Sequence, residues 1–183
     1  MKRILSACAL FGAVLLFTGC DKAKDLIKVN VKTTVEVNFE IDPITQTAEN
    51  ITEVYDNVAN TLDVAIKAEN SSLGIENIKS AKVDACVVST TATSVADDNF
   101  QALNKFSLSL KSDTKPTNTT FAAITTTPAQ AYSMEVPVNS SVDLVDYLKS
   151  NKLAYTFEYK GNRKTTTTLI CKARITYLLK VGL

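Results

Sequence analysis

The chain contains no histidine and no tryptophan, and among its 183 residues there are only 5 glycines, 4 prolines and 4 cysteines. Without histidine there is no imidazole base, no Ser-His or Cys-His nucleophile and no histidine-ligated metal. Without tryptophan the indole most used as a stacking platform for sugar rings is missing too. Nor is there an excess of one charge: 20 Lys and Arg stand against 19 Asp and Glu. A near-neutral balance argues against nucleic acid, which needs a concentrated basic face. Few glycines and prolines, with threonine abundant, fit a strand-rich chain with modest loops.

Lys2 and Arg3 open the chain, and residues 4–17 follow without a charge. A short basic start, an apolar run and a small residue near its end are the marks of an export signal. The run is too short to cross a bilayer as a mature helix, which needs about 20 apolar residues. Leu16-Phe17-Thr18-Gly19-Cys20 then resembles the lipobox of bacterial lipoproteins, with Phe17 where leucine is most usual. The resemblance covers the first 20 residues and implies a processing route: the Cys20 thiol is acylated, residues 1–19 are cut away, and Cys20 becomes the N-terminus. Taking 19 residues from 183 leaves 164, with 18 basic and 19 acidic groups, the size of one ordinary domain. A net charge of −1 gives no polybasic grip on lipid, so the acyl chains must hold the protein at the membrane. Residues 21–27 reach about 25 Å at full extension, which keeps the domain close to the surface.

From Lys28 to Ile41, apolar Val29, Val31, Val35, Val37 and Phe39 alternate with polar residues, the clearest strand in the chain. Ile51, Val54, Tyr55, Val58, Leu62, Ala65 and Ile66 fall at helical spacing, which predicts a helix strongest over 61–70, capped by Asn60 or Thr61. Residues 78–90 read as a strand with Ala81, Val83, Ala85 and Val87 facing the core; the apolar run Ala85-Cys86-Val87-Val88 predicts cover on both faces. Further strands are expected around Phe106–Leu110, Phe121–Thr125 and Tyr132–Val138, with Pro137 marking an edge or a strand end. Ser140 or Ser141 is the expected cap of a helix over 142–150. Leu153–Tyr159 and Leu169–Leu179 alternate on either side of Gly161-Asn162, which reads as a hairpin.

The fold expected is therefore mainly β: an antiparallel β-sandwich of about seven strands, Ig-like or related, with two short helices. Residues 1–19 are the signal, 20–27 the acylated cysteine and tether, and 28–183 a single sandwich domain. This layout resembles the small all-β lipoproteins of Bacteroidota in organisation, without a diagnostic motif.

Cys20 is the one site residue the sequence assigns, as the point of lipid attachment. Cys86 and Cys171 remain as the pair able to form a disulfide in an exported domain, but Cys86 shares its phase with Lys82 and Asp84. Two buried thiols are the preferred reading. No catalytic residue, cofactor or metal set is assigned; Asp97-Asp98 lacks the spacing of a calcium loop, and Asp143 and Asp146 suit the first turn of a helix. Tyr132, Tyr155, Tyr159 and Tyr177 fall in phase with the core, and Tyr55 and Tyr147 complete the set. The function expected is a non-enzymatic binding or assembly accessory of the bacterial cell envelope, lipid-anchored, with the outer membrane favoured over the inner. Its partners are the membrane, through the acyl chains, and an envelope protein or glycan, not nucleic acid. The alternatives are a glycan- or small-ligand-binding lipoprotein of an uptake system and, ranked last, a carboxylate-dependent hydrolase.

Overall fold

The computed structural model describes residues 28–47, 49–91 and 95–183, so Cys20 and the tether lie outside the described residues. Eight strands make two four-stranded antiparallel sheets: β1 (Lys28–Ile41), β8 (Leu169–Gly182), β3 (Ile78–Thr90) and β6 (Ser133–Glu135) in that order in the first. The second runs β2 (Ile51–Ala59), β7 (Lys152–Gly161), β4 (Leu103–Ser112) and β5 (Thr119–Ile124). The chain is a β-sandwich.

Period-2 alternation gives each central strand one apolar face, and the two faces close on each other. Phe39 of β1 and Phe157 of β7 stack across the gap with ring centroids 3.9 Å apart, and Phe106 and Tyr55 pack around them. Val37, Phe39, Val83, Phe157 and Ile175 are all buried in one core. Tyr155 and Tyr177 are fully enclosed, and their hydroxyls meet at 3.1 Å from opposite sheets. That pairing satisfies two polar groups that would each be costly to bury alone.

Several expectations from the sequence are corrected. Residues 51–59 form β2, not the start of a helix. Ile51, Glu53 and Tyr55 turn inward in alternation, then a bulge at Asp56 and Asn57, with Asn57 at φ 60°, makes a three-residue step to Val58. Alternation broken by one bulge imitates helical spacing. The helix itself, α1 (Leu62–Glu69), begins as expected, with Asn60 Oδ1 accepting the Leu62 N–H at 3.1 Å. A second bulge between Val83 and Ala85 switches the phase of β3, so Cys86 and Val88 face the core while Ala85 and Val87 are half-exposed. The apolar run reflects that switch rather than cover on both faces.

The expected hairpin of residues 153–159 with 169–179 does not form: β7 and β8 lie in opposite sheets, and Gly161-Asn162 turns the chain from one layer to the other. Gly161 is needed there because a Cβ would sit 2.6 Å from Ile44 Cγ2. The second helix is one turn, α2 (Val145–Leu148), without a serine cap. Asp143 Oδ1 accepts from Val145 N at 3.0 Å and from Ala81 N at 3.2 Å, tying the turn to β3.

Strand pairing joins the two sheets on one side of the sandwich, while on the other α1, following β2, packs against β1. After β6, Val138 bridges to Ala122 of β5, so this short segment stitches the two sheets together. On the other side β1 and β2 are each the last strand of their sheet.

Candidate functional site

The chain enters the sandwich at Lys28, beside the end of β8, and the connections of residues 60–77, 113–118 and 140–151 lie at that same end. The opposite end gathers the described residues of four connections, 42–47 with 49–50, 91 with 95–102, 125–132 and 162–168. Residues far apart in sequence meet there, and a carboxylate holds them.

Asp98 is 3% exposed, and its Oδ2 accepts four hydrogen bonds, from the Thr166 N–H and hydroxyl at 2.8 and 2.9 Å and from those of Thr167 at 2.7 and 2.9 Å. Burial alone would raise its pKa; the Thr166 and Thr167 donors outweigh this and hold it below the usual carboxylate value. Arg163 reaches from the same connection to the carbonyls of Gln101 at 3.0 Å and Asp97 at 2.5 Å. Asn162 donates to Gln101 O and to Thr127 Oγ1, both at 3.0 Å. Gln101 Nε2 continues the chain of contacts to Ala129 O at 3.2 Å, and Phe100 N donates to Ala131 O at 2.9 Å. Ile44 and Thr165 exchange two bonds, Ile44 N to Thr165 Oγ1 at 2.8 Å and Thr165 N to Ile44 O at 3.0 Å. All four connections are thereby cross-linked by hydrogen bonds, with Ile44 and Phe100 buried beneath them. Loops fixed in this way meet a partner with little ordering still to be done.

What this end presents is small and polar. A hollow of about 380 Å³ between residues 124–130 and β6 is lined by Thr126, Pro128, Gln130, Met134 and Glu135, and Tyr132 beside it is 39% exposed. Around this hollow the described residues present hydrogen-bonding groups and one exposed aromatic ring.

The other candidates fall elsewhere. Cys86 and Cys171 are both free and buried, and burial pushes both thiols up to about 12. Thr90 stands opposite Cys171 and Ile175 opposite Cys86, so the two lie four residues apart along the ladder, about 13 Å. No disulfide spans that. Asp146 pairs with Lys115 at 3.2 Å on the surface. Tyr155, Tyr159 and Tyr177 are core residues, while Tyr132 is the one of the four in-phase tyrosines that reaches solvent. Asp56 and Asp113 share a hollow of about 280 Å³ at the entry end, yet Asp56 faces Lys111 at 3.7 Å and Asp113 accepts the Ser150 hydroxyl.

One grouping was invisible in the sequence. Glu40, Asp42 and Glu53 converge on the β1–β2 side, because the end of β1 lies over the start of β2. The Glu53 carboxyl is held above its usual value, first by partial burial and then by the negative charges of Asp42 and Glu40. Tyr55, whose hydroxyl accepts the Glu40 N–H at 2.8 Å, ties β1 to β2 beside them.

No protein-family model matches the chain, and no curated protein matches it in sequence.

Proposed function

We propose that this protein is a lipid-anchored accessory of the bacterial cell envelope that acts by binding, through the cross-linked loop end of its sandwich, and not by catalysis. The observation that carries the reading is the placement of the Asp98 network. A buried carboxylate, an arginine and an asparagine are all spent on fixing four connections to one another. The surface they stiffen offers hydroxyls, amides and the Tyr132 ring. Rigid loops carried on a sandwich are a common platform for recognition. The lipobox-like Leu16–Cys20 supports attachment, and a tether of about 25 Å joins it to Lys28. No helix among the described residues is long and apolar enough to cross a membrane, so on this reading the acyl chains are the membrane attachment.

A glycan or small polar ligand is the second reading, favoured by the hollow beside Tyr132. Photo-crosslinking separates them. A benzophenone amino acid at Gln130 or Tyr132 should capture an envelope protein in intact cells, and one at Thr52, on the exposed face of β2, should not. Capture at Thr52 but at neither loop position would overturn the proposal. A missing protein adduct, together with shifts of the Tyr132 ring signals on adding envelope oligosaccharide, would favour the glycan.

A further inference from the structure

The first sheet ends in a strand built to meet a copy of itself. β1 pairs with β8 without a register shift over 14 residues, and it contains neither proline nor glycine. Sheet edges of this length are usually blunted by a bulge, a proline or a covering segment. β2 has its bulge at Asp56-Asn57, and β6 hands over to β5; β1 has neither bulge nor proline, and although α1 packs against part of it, no hydrogen bond of the described residues joins that helix to the β1 backbone.

The backbone of β1 shows which groups are free to pair. Glu40 N donates away from β8, to Tyr55, so the even-numbered residues of β1 direct their N–H and C=O groups outward. Among the described residues, the backbone of residues 28–38 makes no hydrogen bond to any element but β8. The even residues also carry the solvent-facing side chains: Lys28, Asn30, Lys32, Thr34, Glu36, Asn38 and Glu40. Read in either direction, that series is complementary in charge about Thr34.

We infer that β1 pairs antiparallel with β1 of a second copy, Thr34 opposite Thr34, to join the two first sheets into one eight-stranded sheet. In this register Lys28 faces Glu40, Asn30 faces Asn38 and Lys32 faces Glu36, twice over by symmetry. Outward-pointing residues meet outward-pointing residues, so the hydrogen bonds can form, and the inward faces stay aligned. Moving the partner by two residues sets lysine opposite asparagine or threonine; moving it by four sets Lys32 against Lys32 or Glu36 against Glu36. Only the Thr34-centred register joins every lysine to a glutamate, and cross-strand pairs of opposite charge stabilise while like pairs do the reverse. It also sets Lys28 of the second copy near Glu40, Asp42 and Glu53, where negative charge is already in surplus. Within one copy Lys32 reaches Asp84 at 2.8 Å and Glu36 reaches Lys172 at 2.9 Å; these exposed contacts are weak competitors.

The pairing stands on the edge geometry alone and not on lipid attachment. If both copies are anchored, their entry points lie about 40 Å apart, so two tethers of about 25 Å reach one bilayer when the strands lie along it. The loop ends then face sideways, open to partners.

Sedimentation velocity tests this on residues 21–183, which hold every strand of both sheets. An edge-only interface is small, so a dissociation constant in the micromolar range is expected over a series of about 1–500 µM. Lys28→Glu/Lys32→Glu makes the strand all-acidic and Glu36→Lys/Glu40→Lys makes it all-basic. Each alone should dimerise at least about tenfold more weakly, and an equimolar mixture should recover the dimer. Thr34→Pro removes an outward N–H without touching the β8 ladder and should leave a folded monomer by circular dichroism. A wild-type chain that stays monomeric throughout, a dimer indifferent to Thr34→Pro, or a mixture that fails to associate would overturn the inference.

Discussion

Truncating Phe157 tests the packing at its most crowded point. The ring is fully buried in β7, stacked on Phe39 from the opposite sheet at 3.9 Å, with Tyr55 edge-on at 5.5 Å and Phe106 at 6.2 Å. Phe157→Ala removes the ring from the centre of this group, and the neighbours are held by two separate sheets, so they cannot close the void. Such truncations cost about 3–5 kcal/mol, the upper end where a site cannot collapse. In a domain of this size each kcal/mol lowers the melting temperature by about 2–4 °C. The expected fall is therefore about 6–20 °C by calorimetry on residues 21–183, with an unchanged urea m-value. Phe157→Leu keeps most of the volume and should lose much less. An unshifted melting temperature in Phe157→Ala would show that the two sheets do not meet through this ring.

Asp98→Asn should destabilise by about 1–3 kcal/mol near pH 6. The Asp98 donors favour its charged form, so its contribution is complete above the unfolded value of about 3.9 and is lost as pH falls through the lower native pKa. Urea titrations at pH 6 and pH 2.5 should show the penalty shrinking in acid; an equal penalty at both would refute the assignment. Tyr155→Phe and Tyr177→Phe should each cost about 1–2 kcal/mol by leaving the other hydroxyl without its partner. The double variant should cost less than the two losses added, as read from a thermal double-mutant cycle; strict additivity would contradict the pairing. Cys86 and Cys171, both pushed up to about 12 by burial, should resist a thiol reagent at pH 8 until the protein is unfolded. Fast labelling of the native protein would contradict their burial.

How far the fold could be read depended on whether alternation ran unbroken. β1, β4, β7 and β8 keep period 2 across their cores, and the sequence displays them directly. β2 and the second half of β3 were misread for one reason: a bulge inserts a residue, shifts the phase and leaves nothing in composition to announce it. Gly161-Asn162 signalled a reversal, but a local turn does not say whether the next strand pairs beside the last one or crosses to the other layer. The loop end was less legible still. Asp98 finds its donors 68 and 69 positions away, and a run of four threonines reads only as a polar connection until the fold brings it to that carboxylate. The convergence of Glu40, Asp42 and Glu53 likewise depends on β1 lying over β2. The charge symmetry of β1 was in the sequence throughout, and it gained meaning once β1 proved to be the outermost strand of its sheet.

The claim on which the functional reading depends most is attachment through Cys20, and intact-mass analysis of the protein purified from the membrane fraction tests it directly. The account predicts a chain that begins at Cys20 and carries the added mass of two or three acyl chains, released on its N-terminal peptide after digestion. A mature chain that begins at any other residue, or a Cys20 found with a free thiol, would contradict it.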